Sequence, residues 1–224
     1  MIITIDGPMA SGKSTVAERV AHHFGYYYIA SGLLYRAYSY FLVTCRNYSS
    51  EQLVSVTQET LDQILEHDQF MYCYNNLGAR IVLNGCDITD ALKSSDVDTW
   101  ASLIATAPEM RAIIDDFQRK LAKQYNSVAD GRDCGTTVFP DADYKFFLTA
   151  SVSVRALRWQ KSQLGRNKHF SLAESISIIS QRDTRDATRL ISPLIPADDA
   201  IIIDNSDLSI DQTVQKILEH ISKL

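Results

Sequence analysis

Residues 7–14 read Gly-Pro-Met-Ala-Ser-Gly-Lys-Ser and match the spacing G-x-x-x-x-G-K-[ST]. The two glycines allow the backbone to curl so that its N–H groups point inward. Those groups, together with the N-terminus of a following helix, form a cradle for phosphate oxygens. In that cradle Lys13 bridges the β- and γ-phosphates of a nucleotide, Ser14 holds Mg²⁺ and Thr15 touches the α-phosphate. The loop leaves open what receives a phosphate, if anything does.

A guanine-reading switch needs N-K-x-D and D-x-x-G. The chain's Asn167-Lys168 runs on into His169-Phe170, and no D-x-x-G occurs. A motor-type ATPase carries an apolar strand ending in aspartate. "AIIID", ending at Asp204, has that pattern but comes so late, where an edge or final strand is expected, that Asp204 reads as only the end of a last buried strand. A small-molecule kinase needs a second set of cations to neutralise the acceptor's own phosphate, and arginine suits this because its planar fork pairs bidentately with phosphate oxygens.

The candidates are Arg36 after "SGLLY", Arg111, Arg132 in "ADGRDCG", and Arg182, Arg185 and Arg189 at i, i+3 and i+7. Each has a plainer reading. The last trio interleaves with Asp183 and Asp186, and by spacing alone reads as a solvated, salt-bridged helix face. Arg111 by itself reads as a surface residue. Ser31-Gly32 reads equally as a simple helix start. "DGRD" favours a ligand, because ligands of parallel sheets sit outside the carboxyl ends of the strands. Tyr26, Tyr27, Tyr28 and Trp100 read as packing residues, not as a stacking platform.

The elements that must carry these residues alternate. Ile2–Ile5 is a β-branched run, and residues 14–24 have helical apolar spacing. A strand is expected over 26–29, an aromatic-rich helix to about Val43, and an amphipathic helix over 50–66 through Leu53, Val56, Leu61, Ile64 and Leu65. Asn75-Asn76-Leu77-Gly78 and Asn84-Gly85 are hairpin signals within a small antiparallel insert at about 67–89. Helices follow near 94–106 and 108–124, with Pro108 in a first turn. Strands are expected at 127–130 and 145–150, helices at 152–164 and 171–190, a strand at 200–204 and a closing helix capped by Ser209. The whole is α/β, a parallel sheet covered on both faces.

Composition fits an ordinary globular protein, with 46% hydrophobic and 22% charged residues. A net charge of -5 argues against nucleic-acid binding. Cys45, Cys73, Cys86 and Cys134 are widely spaced, which speaks against zinc or disulfides and for a reducing cytoplasm. Neither a signal peptide nor an apolar run of about 18 residues is present, so no membrane is expected.

Taken together, "IDGPMASGKST", "SGLLYRA", "LNGCDIT", "ADGRDCGTTVFPDADYKFFLTAS", "QRDTRDATR" and "SPLIPADDAIIIDNSDLSI" resemble the bacterial cytidylate kinases, nucleoside monophosphate kinases acting on CMP and dCMP. The motifs run in family order over almost the whole chain. The resemblance implies one P-loop kinase domain with a five-stranded parallel core (about 1–48 and 108–224), a monophosphate-binding insert (about 49–107) and a short lid (about 158–170). It implies ATP on Gly7, Pro8, Met9, Ala10, Ser11, Gly12, Lys13, Ser14 and Thr15, with Arg158 and Lys161 from the lid. Ser31, Arg36, Arg132 and Arg182 would meet the acceptor, and Ser102, Arg111 and Asp133 would read its cytosine. Asp186 would lie near the ribose and Arg189 by the transferring phosphates. Lys13, Arg132, Arg182 and Arg189 are then the catalytic set. Mg²⁺ would be held by Ser14, with Asp130 at the end of its strand acting through water. A cytoplasmic monomer working on small nucleotides is expected. A kinase for UMP or a non-nucleotide acceptor, or a nucleotide-binding ATPase module, are the alternatives. Three positions depart from the family pattern: Ala30 where an acidic residue is common, and Lys93 and Trp159 where arginines are.

Overall fold

The computed structural model describes residues 1–57, 59–62, 68–165 and 167–222. The chain divides into two compact units, residues 1–26 with 126–224, and residues 27–125.

In the first unit, β1 (Ile2–Asp6) pairs in parallel with β6 (Ser127–Gly131) on one side and β7 (Tyr144–Thr149) on the other, and β7 pairs in parallel with β8 (Ile201–Asp204). The five-stranded sheet has the order β2-β6-β1-β7-β8; β2 (Tyr27–Ala30) opens the residues of the second unit, and the other four strands belong to the first. Its interior strands are apolar on both faces, as parallel strands must be: Ile3, Ile5, Val128, Ala129, Phe146 and Leu148 are all buried. Register puts Asp6 opposite Gly131 and Thr149 opposite Asp204, so the carboxyl ends of these strands share one sheet edge. The fully buried last strand expected at 200–204 is corrected: β8 is the edge strand, with Ile203 inside and Ile202 and Asp204 in solvent. The Asp204 carboxylate accepts from the N–H and hydroxyl of Ser206, as a plain strand end.

Among the described residues four α-helices belong to the first unit: α1 (Lys13–Phe24), α5 (Val152–Leu164), α6 (Leu172–Thr188) and α7 (Ile210–Ile221). Ser151, Ser171 and Ser209 accept the orphan N–H groups at the starts of the last three. At Ser171 and Ser209 a glutamate or glutamine three residues on completes a capping box.

The second unit packs α2 (Ser31–Arg46), α3 (Ser95–Ile104) and α4 (Pro108–Gln124) with an antiparallel sheet β3-β4-β5 (Phe70–Asn75, Gly78–Leu83, Cys86–Asp87). Its core gathers Leu34, Tyr38, Phe41 and Leu42 of α2 with Leu53, Leu61, Ile81, Leu92, Ile104 and Ile114. The tyrosines pack, as expected. Tyr27 stacks on Tyr125 with centroids 4.5 Å apart, and the Tyr27 hydroxyl donates to the Tyr72 carbonyl. The amphipathic helix expected over 50–66 is corrected in part. Leu53 lies in a 3-10 turn (Gln52–Ser55), and Val56 is extended with ψ 129°. The Thr57 hydroxyl then accepts from the Thr60 N–H and starts a new turn, interrupting the run. Leu53, Val56 and Leu61 are buried all the same, whereas Ile64 and Leu65 lie outside the described residues.

The Asn84-Gly85 turn behaves as its sequence requires, with φ of 50° and 83° at the two central residues. A Cβ on Gly85 would meet no atom within 4 Å, so backbone strain alone resists a side chain there. Gly85→Ala should therefore lower unfolding free energy by about 1 kcal/mol in urea titrations, and Gly85→Asn by less, because asparagine tolerates the left-handed region. Equal stability of all three proteins would show that the turn is not left-handed in solution.

Candidate active site

The loop after β1 is built by close approach. A Cβ on Gly7 would lie 2.1 Å from the Leu148 carbonyl oxygen, so only glycine passes there. α1 begins at Lys13 with no side-chain cap, and its first N–H groups point out of the helix N-terminus beside the loop. Lys13 is buried and curls back so that Nζ donates to the Pro8 carbonyl at 3.3 Å. The Ser14 hydroxyl donates to the Asp130 carboxylate at 2.7 Å, so the two groups expected near a magnesium ion do come together.

Around this loop the first unit sets buried charges in pairs. Arg132 Nε donates to Asp186 at 2.8 Å, and Arg189 Nη2 donates to Asp133 at 3.1 Å. Burial first, and then the Arg132 and Arg182 guanidiniums, lower the Lys13 ammonium to about 7, while Asp130 and Asp186 pull the other way. Burial disfavours the Asp186 carboxylate too, but Arg132 and Arg182 more than offset it and hold its pKa below the ordinary value. The solvated-face reading of the 182–189 trio is therefore overturned: Asp186 is 6% exposed, and the acids between the arginines pair inward with other elements. Only Arg185 stays on the exposed side.

In the second unit Ser31 is the buried first residue of α2, and Arg36 one turn later binds Asp98 through Nε at 2.8 Å and Nη2 at 2.6 Å. Ser102 is buried in the last turn of α3. Arg111 is 2% exposed, which corrects the surface reading. Its Nη1 donates to the Ala105 carbonyl at the C-terminal end of α3, where a helix dipole favours a cation, and its guanidinium lies 5.6 Å over the Tyr35 ring. On the lid side, Arg158 is held by the side-chain and main-chain oxygens of Asn205 at 2.9 and 2.7 Å, and lies 3.4 Å from the Ser11 carbonyl, while Lys161 is exposed.

The model of one protein family, cytidylate kinase, matches residues 3–223. A cytidylate kinase of Pseudomonas fluorescens is 41% identical over 99% of this chain and 95% of its own length, and one of Desulfitobacterium hafniense is 40% identical over 96% and 90%. The chain belongs to the cytidylate kinase family. Among solved structures, an uncharacterized protein from Eubacterium ventriosum shares the fold alone, at a TM-score of 0.50 and 15% identity over 100% of this chain and 99% of that one.

Four residues that organise this family member's loop escaped the sequence reading: Asp6, Arg155, Asp183 and Asn205. Asp6 and Asn205 carried a usable signal, since each stands at or just past the carboxyl end of a parallel strand. Asn205 Nδ2 donates to the Ser11 carbonyl at 2.9 Å. Asp6 accepts from the N–H groups of Cys134 and Gly135 at 3.0 and 2.7 Å, at the head of a π-helical turn (Cys134–Val138) that follows Arg132 and Asp133.

Burial pushes the Asp6 carboxyl up from 3.8 to about 6, although those two N–H groups pull it back down. Between these values the folded protein holds a proton that the unfolded chain has released. Stability therefore falls as pH rises through the window and levels off above it, a loss of about 3 kcal/mol in all. Asp6→Asn abolishes this titration. In urea unfolding from about pH 4.5 to about pH 7.5, the wild type should lose ground to Asp6→Asn up to about pH 6.5 and hold a constant difference beyond. A difference that is flat across the whole range would show that Asp6 titrates normally.

Proposed function

We propose that this chain transfers the γ-phosphoryl group of ATP to CMP or dCMP, giving CDP or dCDP and ADP. The observation that carries the reading is the group of cations beside the glycine-rich loop: burial lowers the pKa of Lys13 most, and the nearby Arg132 and Arg182 guanidiniums lower it further by repulsion. A phosphate group among them reverses that repulsion, since each cation then gains an opposite charge.

ATP is held by residues 7–15, with Lys13 on the β- and γ-phosphates. For Mg²⁺, the Ser14 hydroxyl and the Asp130 carboxylate, 2.7 Å apart, are the hard oxygen donors such an ion takes. When bound, the ion neutralises charge on the phosphate oxygens. The acceptor's phosphate is met by Arg132 and Arg182 with Ser31 and Arg36, and Asp186 accepts from its ribose hydroxyls. Ser102, Arg111 and Asp133 read the cytosine: a hydroxyl, an arginine fork and a carboxylate match O2, N3 and the 4-amino group. A CMP phosphate oxygen attacks the γ-phosphorus in line and forms the new P–O bond. The bond from that phosphorus to the bridging oxygen breaks, and its electron pair leaves on ADP. The attacking oxygen is already ionised near neutral pH, so no general base is needed. Positioning and charge neutralisation by Lys13, Arg132, Arg182 and Arg189 supply the catalysis.

The test is ADP release with CMP, dCMP, UMP, AMP and small metabolites offered in turn. Release that depends on CMP or dCMP is expected. Preference for another acceptor, or release indifferent to any acceptor, refutes the assignment. Lys13→Ala should cut kcat by about 100-fold or more while leaving circular dichroism unchanged. Arg182→Ala should raise the KM for CMP roughly tenfold or more. An unaltered KM and kcat for Arg182→Ala would return that side chain to a purely structural role.

A further inference from the structure

The phosphate loop contains a residue in a conformation it would not adopt by itself. Ala10 has φ 59°, in the left-handed region that L-residues with a Cβ avoid. Such a conformation persists only where the surroundings over-determine it. The residue before it is held at both of its main-chain groups. The Met9 N–H donates to Asp183 Oδ1 at 3.1 Å, and the Met9 carbonyl accepts from Arg155 Nη1 at 3.1 Å. Arg155 and Asp183 close the ring by pairing with each other.

We infer that Arg155 and Asp183 are positioning residues that clamp the two peptide planes flanking Met9 and so hold the phosphate loop in its nucleotide-binding shape. The Met9 N–H belongs to the Pro8–Met9 peptide and its carbonyl to the Met9–Ala10 peptide. Fixing both orients the chain on either side and delivers Ala10 into its left-handed turn. The clamp is itself rigid. Arg155 is 5% exposed and sits in the first turn of α5, where its Nε also donates to the Ala150 carbonyl at 2.9 Å. Asp183 projects from α6. Because the Met9 N–H is spent on Asp183, the loop's phosphate donors are the N–H groups further on, toward the start of α1. The inference rests on the reading of residues 7–15 as an ATP site.

The experiment is a double-variant cycle in the full chain, read by calorimetric titration with MgATP without any acceptor, so that it does not depend on the identity of the acceptor. Asp183→Ala should weaken MgATP binding about tenfold. Ala10→Gly removes the objection to the left-handed turn. It should therefore improve binding about fivefold more in the Asp183→Ala background than in the wild type, because only there must the turn be re-formed on binding. The same Ala10→Gly effect in both backgrounds overturns the inference and leaves Asp183 a packing residue. Should Asp183→Ala fail to fold, Asp183→Asn carries the same cycle, keeping the shape and the acceptor for Met9 but losing the charge that holds Arg155. A wild type that binds no MgATP refutes the nucleotide site and this inference with it. A wild type that binds MgATP but ignores CMP refutes only the assignment of the acceptor.

Discussion

Two backbone N–H groups converging on the Asp6 carboxylate tie the end of β1 to the turn that follows β6. Those strands are neighbours in the sheet, and each leads into a functional segment: the glycine-rich loop begins one residue after Asp6, and Arg132 and Asp133 immediately precede Cys134. Loops diverge after parallel strands unless something joins them, and nothing in a sheet's hydrogen-bond ladder reaches past its last residue. The Asp6 carboxylate supplies that joint. The two N–H groups favour its ionised form, and that form exists at a cost, because the carboxyl is almost fully buried. The site is thus held together by a group that by itself disfavours the folded state, and the sheet's apolar interior has to outweigh it.

The same trade runs through the other charges of this unit. Arg132 with Asp186, Arg189 with Asp133 and Arg155 with Asp183 are buried or nearly so. Pairs of this kind add little net stability over apolar residues of the same size, because desolvation consumes most of the Coulomb energy. What they do supply is orientation. The Arg132 and Arg189 guanidiniums are held in place by Asp186 and Asp133, and that of Arg155 is aimed at the Met9 carbonyl. Apolar residues in place of both members of a pair would stabilise the fold about as well but would lose that orientation.

The legible parts of the sequence were those governed by local rules. The glycine-rich spacing, the β-branched run before it, Pro108 in a first turn, Ser209 as a cap and the two hairpin turns each depend on a few neighbouring residues, and each is found where the pattern puts it. The late position of "AIIID" points to an edge or final strand, and β8 is one; its half-exposed character was not legible, because the run is apolar up to Asp204 and only strand order leaves Ile202 in solvent. Nor were the partners of the arginines. The spacing of residues 182–189 pairs Arg182 with Asp186 along one helix, whereas Asp186 pairs with Arg132, 54 residues away, and Asp183 with Arg155, 28 residues away. Helical periodicity fixes which residues share a face but says nothing about what faces them. Arg111 fails for the same reason: its burial comes from Tyr35 and the Ala105 carbonyl, both outside its own helix.

The departures from the family pattern have local answers of unequal weight. At Ala30, where the resemblance leads to an acidic residue being expected, the main chain is held: the Ala30 N–H donates to the Tyr72 hydroxyl at 2.9 Å, and that hydroxyl donates to the Tyr28 carbonyl at 2.8 Å. A buried tyrosine reaching from β3 fixes the entry to α2 without a charge, which spares the cost of burying one. Lys93 pairs with Asp90 on an exposed turn, and an exposed pair of this kind contributes little. Trp159 lies against Phe170 with ring centroids 4.8 Å apart, while the neighbouring Gln160 side chain donates to the Phe170 carbonyl at 2.6 Å. An arginine in place of Trp159 would add a positive charge there. The indole instead buries apolar surface against Phe170, one residue before the capping serine of α6. Arg158 is engaged by Asn205, and beyond α5 the Trp159–Phe170 packing leads into the capping box that starts α6.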